Sequence, residues 1–189
     1  MAKKIKNVQC YSMQHMGELK GFVKNGLDSS VIINIIVVFG PEFNEFERKG
    51  FSFPPNLFYS HEISRYKEVK GILINKYGFS KGEAEKAFEN FKEKFNVTEI
   101  KRIKDVDKKY EDLAEDANKR VIKKKNNPHL KIGDEDIIII GGFSRENVNI
   151  IHSADNGFLE TCKELKFDIL PLPKRDIERE NRLKKKLNK

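Results

Sequence analysis

The sequence predicts an α/β fold, built on a mostly parallel sheet covered on both faces by helices and carrying a helical insert. Three observations lead there. Short β-branched runs alternate with amphipathic stretches, the pattern of successive strand–helix–strand units. Residues 133–158, GDEDIIIIGGFSRENVNIIHSADNGF, set three acids before four isoleucines and an aspartate just past a second apolar run. Acids then recur at strand or helix ends along the chain, at Asp28, Glu62, Asp136 and Asp155. A chain of 189 residues is long enough for one well-buried domain.

Residues 1–22 form an N-terminal extension of mixed apolar and polar character, read as a short strand or hairpin, with His15 between methionines as a packing residue. From Val23 a strand ends at Leu27 and Asp28, and a helix follows with Ser29 or Ser30 as its N-cap. One long buried strand is the alternative. Asp28 argues for the break, because a carboxylate is costly inside a continuous buried strand. Gly40-Pro41 ends the element, and residues 42–55 give a helical turn or two and then a loop.

Asn56–Ser60 reads as a strand, followed by an amphipathic helix with Ile63, Tyr66, Val69 or Lys70, and Leu73 near helical spacing. Glu62 falls in its first turn. Ser80 and Glu83 make a capping box for a helix over 80–95, with Ala84, Ala87, Phe88, Phe91 and Phe95 inward. A short strand, VTEIKRI, precedes a helix from Val106 to Lys125 that turns Tyr110, Leu113, Ala117 and Val121 inward. Residues 80–130 are the helical insert, a place where a substrate-gripping arm could be elaborated.

The four isoleucines suggest an element buried on all sides, read as a helix because Asp134, Glu135 and Asp136 would sit at its N-terminus. Gly141-Gly142 reads as a break. Val148–His152 is a buried strand, residues 157–165 a short helix, and FDIL a last strand before a basic tail over 173–189.

The formal net charge is +8, and the tail holds eight Lys/Arg against three Asp/Glu. Basic proteins often meet nucleic acid. Lys123, Lys124 and Lys125 at one helix end, and Lys184, Lys185 and Lys186 in the tail, are therefore candidate nucleic-acid-binding residues, with a solubilising surface as the plain alternative. No apolar run approaches the length of a membrane helix, and the N-terminus lacks a signal peptide's apolar core. Cys10 and Cys162 indicate neither a zinc site nor a disulfide framework, so the expected location is cytoplasmic. No phosphate-binding P-loop or dinucleotide fingerprint is present.

Carboxylates gathered at one sheet edge repel one another and raise each other's pKa. A divalent cation resolves the conflict, and oxygen-only ligands select Mg²⁺ or Mn²⁺ over zinc. Such ions activate water and steady the phosphoryl oxygens of an in-line displacement.

At these positions the chain resembles the PIN-domain nucleases. Leu27-Asp28-Ser29-Ser30-Val31-Ile32-Ile33 is similar to the family's opening motif, and His61-Glu62 at a helix start to its second acid. Asp136 before the isoleucines is similar to the third acid, and Ser153-Ala154-Asp155-Asn156-Gly157-Phe158 to the motif carrying the fourth. The resemblance implies a three-layer α/β/α fold over residues 23–172 and a metal-dependent endoribonuclease. Asp28, Asp136 and Asp155 would bind metal, and Glu62 would be a ligand or orient water. Ser30 and Ser153 would support the ligands through their hydroxyls. Asp134 and Glu135 are alternatives for the third acid. The family often has Asn where Ser30 stands and a second Asp where Gly157 stands.

The segment between Glu62 and Asp136 is longer than in compact toxin members, which leans toward RNA processing, and the insert is similar in place to the helical spike of minimal protein-only RNase P. A non-catalytic RNA-binding or assembly factor and the toxin of a toxin–antitoxin pair are the alternatives. The partners implied are RNA and either an antitoxin or an RNA-processing partner; a homodimer is a further option and a membrane is not.

Overall fold

The computed structural model describes residues 23–39 and 56–171, so the expectations for residues 1–22, 40–55 and the tail, Lys184, Lys185 and Lys186 included, lie outside the described residues. Strands β1 (Val23–Leu27), β2 (Asn56–His61), β3 (Val97–Ile100), β4 (Ile150–Ser153) and β5 (Asp168–Pro171) form one sheet in the order β3-β2-β1-β4-β5. Every pairing is parallel. The helices are α1 (Ser29–Asn34), α2 (Lys70–Tyr77), α3 (Lys81–Lys94), α4 (Lys104–Lys125), α5 (Asp134–Arg145) and α6 (Asn156–Glu164).

Two apolar cores lie on opposite faces of the sheet. Val31, Ile32, Leu73, Phe88 and Phe91 bring α1, α2 and α3 to one of them. Ala114, Ile139, Ile140, Phe143, Phe158 and Cys162 bring α4, α5 and α6 to the other. The architecture is the three-layer α/β/α arrangement that the alternating pattern predicts.

The chain builds outward from β1 through β2 to β3, then crosses back to place β4 on the other side of β1. The strand order therefore reverses between β1 and β4, and the carboxyl ends of those two strands bound the crevice where open α/β sheets take ligands. The insert is no detached arm. It supplies the edge strand β3, puts Phe88 and Phe91 of α3 in one core and Ala114 of α4 in the other.

Local chemistry explains most elements. Ser80 and Glu83 close the capping box at the start of α3, each side chain bonding the other residue's backbone N–H. At α1 the cap is Asp28 and not Ser29 or Ser30, because its Oδ1 accepts from the Ser29 N–H at 2.6 Å. Gly141-Gly142 does not break α5, which runs on to Arg145. A Cβ on Gly142 would stand 2.6 Å from His61 Cδ2, and one on Gly141 3.0 Å from Glu111 Cγ. The pair lets α5 lie close against the sheet and against α4. Of the four isoleucines only Ile139 and Ile140 are fully buried, so the element is a half-buried helix.

Two other faces differ from expectation. Leu113 is 54% exposed, and α4 buries Asp107, Glu111, Ala114, Ala117, Asn118 and Val121. Asn118 bonds the Leu130 carbonyl and Thr161 Oγ1, both at 2.9 Å, so a polar residue is satisfied inside. Before α2 the chain makes a π-helical turn over Ser64–Val69. Ser64 and Val69 are buried five residues apart, then Leu73 and Tyr77 at steps of four, and Tyr66 is left 60% exposed. That wider turn rotates the helix face relative to a strict 3.6-residue reading.

Candidate metal centre

Asp28 stands where β1 gives way to α1, and it is buried. Its Oδ2 accepts from Ser30 Oγ and from Ser153 Oγ, both at 2.7 Å. Each hydroxyl is held in turn by the turn after β4: the Ala154 N–H donates to Ser30 Oγ and the Asp155 N–H to Ser153 Oγ, both at 2.9 Å. The Asp28 N–H donates to the His152 carbonyl at 3.1 Å. One carboxylate thus joins two turns that are far apart in sequence. Burial raises its pKa, against the lowering by its hydrogen bonds.

Asp155 is the N-cap of α6, its Oδ1 accepting from the Phe158 N–H at 2.8 Å. Asp136 lies in the first turn of α5, its Oδ2 accepting from the Gly133 N–H at 3.0 Å. Burial, followed by the negative charges of Asp28, Asp155 and Glu135, pushes Asp136 up to about 6. These three acids line one cleft of about 560 Å³.

The fourth acid of that cleft is Glu68, which sequence reasoning missed. It stands in the π-helical turn, accepts a hydrogen bond from Ser29 Oγ, and is pushed up to about 7 by burial and by Asp28, Asp136 and Glu135. Glu62, expected there, is placed elsewhere: its Oε1 accepts from the Arg102 N–H at 2.9 Å, beyond β3. The signal that could have located Glu68 is the five-residue step from Ser64 to Val69, which turns residue 68 toward α1.

The third-acid alternatives are also resolved in space. Asp134 lines a separate groove with Arg102, Lys108 and Lys131. Glu135 pairs with Lys67 Nζ at 2.9 Å. Of the three neighbours, Asp136 is the one whose side chain lines the cleft with Asp28 and Asp155. Lys124 and Lys125 at the end of α4 are paired with Glu164 and Glu160 of α6, and neither they nor Lys123 line the cleft. Gly157 stands where the resembled family often has an acid, and a Cβ there would meet the Leu130 carbonyl at 2.8 Å, so the packing refuses a side chain.

Among the described residues, no three acidic, histidine or cysteine side chains are grouped tightly enough to enclose an ion by themselves. The donor set is nonetheless all oxygen and mutually repulsive, with Asp28 buried, Glu68 and Asp136 half-buried and Asp155 open to solvent. It fits a hard divalent cation that keeps several of its own waters, as Mg²⁺ does, and not a closed all-protein cage.

No protein-family model matches the chain, and no curated protein aligns with it significantly. Solved structures do match. VapBC-1 from nontypeable Haemophilus influenzae superposes with a TM-score of 0.52 at 15% identity, over 79% of this chain and 98% of that one. VapBC2 from Rickettsia felis, bound to a DNA fragment from its promoter, gives 0.50 at 11% identity over the same shares. The VapC component of such complexes is a PIN-domain nuclease. At these identities the likeness is one of fold, and the fold is PIN-like. Among the described residues no helix is long and apolar enough to cross a membrane.

Proposed function

We propose that the protein is a Mg²⁺- or Mn²⁺-dependent endoribonuclease acting in RNA processing. The observation that supports it most is the cleft at the switch point, where four carboxylates share one space and two of them are raised to about 6 and about 7. Asp28, Asp136 and Asp155 would hold the cation, with Ser30 and Ser153 fixing the Asp28 carboxylate from behind. When bound, the cation supplies charge stabilisation at phosphoryl oxygens and lowers the pKa of water. Ser29 Oγ occupies Glu68 Oε2, leaving Oε1 to accept a proton, and a carboxyl near pH 7 suits that transfer. Net positive charge draws a polyanion to the surface.

The test is cleavage of labelled structured and single-stranded RNAs with Mn²⁺ or Mg²⁺ and with EDTA. Cutting that EDTA abolishes is expected. Binding without cutting of any substrate overturns the nuclease and leaves an RNA-binding or assembly factor.

A second consequence is read without activity. Glu68 and Asp136 have folded pKa values raised above ordinary carboxyls. Their stabilising contribution is therefore full below the unfolded values and is lost as pH rises through about 6 and about 7. A cation bound to the ionised cluster restores it. Mn²⁺ should raise Tm by several degrees at about pH 8 and by less than about one degree at about pH 5, and equal shifts at both would sink the site.

The VapBC structures favour a second reading, a toxin held by an antitoxin. Purification of the tagged chain with a small partner encoded beside it, and growth arrest without that partner, would support it.

A further inference from the structure

The acid cleft does not end at the acids. Ile33 and Asn34 of α1 continue it on one side, and Ile72 and Lys76 of α2 on the other. Glu68, Ile72 and Lys76 follow at steps of four residues, so they form one stripe along a helix and run roughly 12 Å from the acid cluster to the lysine. The stripe changes character along its length, from carboxylate to exposed aliphatic to ammonium. Ile72 is 37% exposed, an apolar step between the acid cluster and the lysine.

The cleft's two cations are not equivalent. Lys67 Nζ is paired with Glu135 at 2.9 Å. Lys76 forms no ion pair among the described residues, its ammonium standing 5.8 Å from the Tyr77 ring centroid. An exposed ammonium at the far end of an acidic cleft attracts an anion that the near end, without its cation, repels.

The geometry points to a single-strand subsite along α1 and α2, an inference that rests on the endoribonuclease reading. The nucleotide beside the scissile phosphate lays its base on Ile72, with the Asn34 amide at the base edge. Lys76 takes a phosphate further along the same strand. Asn34 is the specificity-determining residue, because an amide offers both a donor and an acceptor to a base edge. Lys76 is a substrate-binding residue. A base-paired strand cannot enter, since its base is stacked and its edge occupied.

The test measures binding in EDTA, where no cutting occurs, and cutting in Mn²⁺. The probes are a fluorescein-labelled single-stranded RNA of mixed sequence and the same strand annealed to its complement. Lys76→Ala should weaken single-strand binding about fivefold or more, reduce the salt slope by about 0.7, and leave duplex binding unchanged; Lys76→Arg should restore it. Asn34→Ala should flatten the base preference of cutting, and an unchanged preference would remove Asn34 from the subsite. Lys76 is exposed in the last turn of α2, so Lys76→Ala and Lys76→Arg should fold as the wild type does.

Unchanged affinity and salt slope in Lys76→Ala, with wild-type cutting intact, overturn the subsite and leave the nuclease standing. A reduced slope in a protein that cuts nothing supports the subsite while removing the nuclease. Equal binding of duplex and single strand overturns the single-strand assignment.

Discussion

Asp28→Asn and Glu68→Gln should each lower metal-dependent RNA cleavage by about a hundredfold or more, whereas Glu62→Gln should change it by less than about threefold. All three replacements remove one negative charge and preserve shape. What separates them is position. Asp28 and Glu68 share the cleft with Asp136 and Asp155, and Glu62 spends an oxygen on the Arg102 backbone. The two cleft variants should also differ from each other. Asp28→Asn removes a carboxylate that anchors Ser30 and Ser153, so it should weaken Mn²⁺ binding in a calorimetric titration. Glu68→Gln should leave Mn²⁺ binding closer to wild type and abolish the rise in rate between about pH 6 and about pH 8. Loss of cleavage in Glu62→Gln with retention in Glu68→Gln would put the fourth acid back at the start of the helix and refute the placement by the π-helical turn.

Asp107→Ala should lower the free energy of unfolding by about 3–5 kcal/mol. Asp107 is wholly buried, and both its oxygens accept from Arg145 Nη1, at 2.7 and 2.8 Å. Its Oδ2 also accepts from the Ile103 N–H at 2.7 Å, supplying a bond at the start of α4 that the Ile103 side chain cannot. Arg145 in turn donates to the Lys101 carbonyl at 3.0 Å. Removing the carboxylate takes the main partner from a guanidinium that is only 13% exposed, leaving it Glu146 at 3.1 Å, and frees a helix-start N–H. The control is Asp112→Ala on the same helix. Its pair with Lys108 is mostly in solvent, at 54% and 67% exposure, so the cost should stay under about 0.5 kcal/mol. Urea midpoints with unchanged slopes measure both. Equal shifts would mean that the buried pair contributes no more than a surface one.

The parts of the fold legible in the sequence were those written in short-range chemistry. Ser80 with Glu83 announces α3. Asp28 and Asp155, acids just past apolar strands, announce the two turns at the switch point. Where the reading failed, a longer-range packing demand had overruled the local pattern. A strict helical template puts Tyr66 inside, but the π-helical turn puts it in solvent and carries Glu68 to the cleft. A hydrophobic template puts Leu113 inside, but α4 buries carboxylates because Arg102 and Arg145 wait to pair with them. Gly141-Gly142 looked like punctuation, yet its meaning is contact with His61 and Glu111, residues no local window contains.

The serine bridge across Asp28 also sets a timetable. Ser153 reaches Asp28 across 125 positions of chain, and Ala154 reaches Ser30 across 124. A ribosome that has released residues 23–39, or even everything through α4, has made no cleft, because the second turn does not yet exist. Only after residue 155 emerges can the two halves close on one carboxylate. A nascent chain that stops short of the second turn therefore lacks the cleft, and whatever the cleft does to its target begins only after that turn has been made.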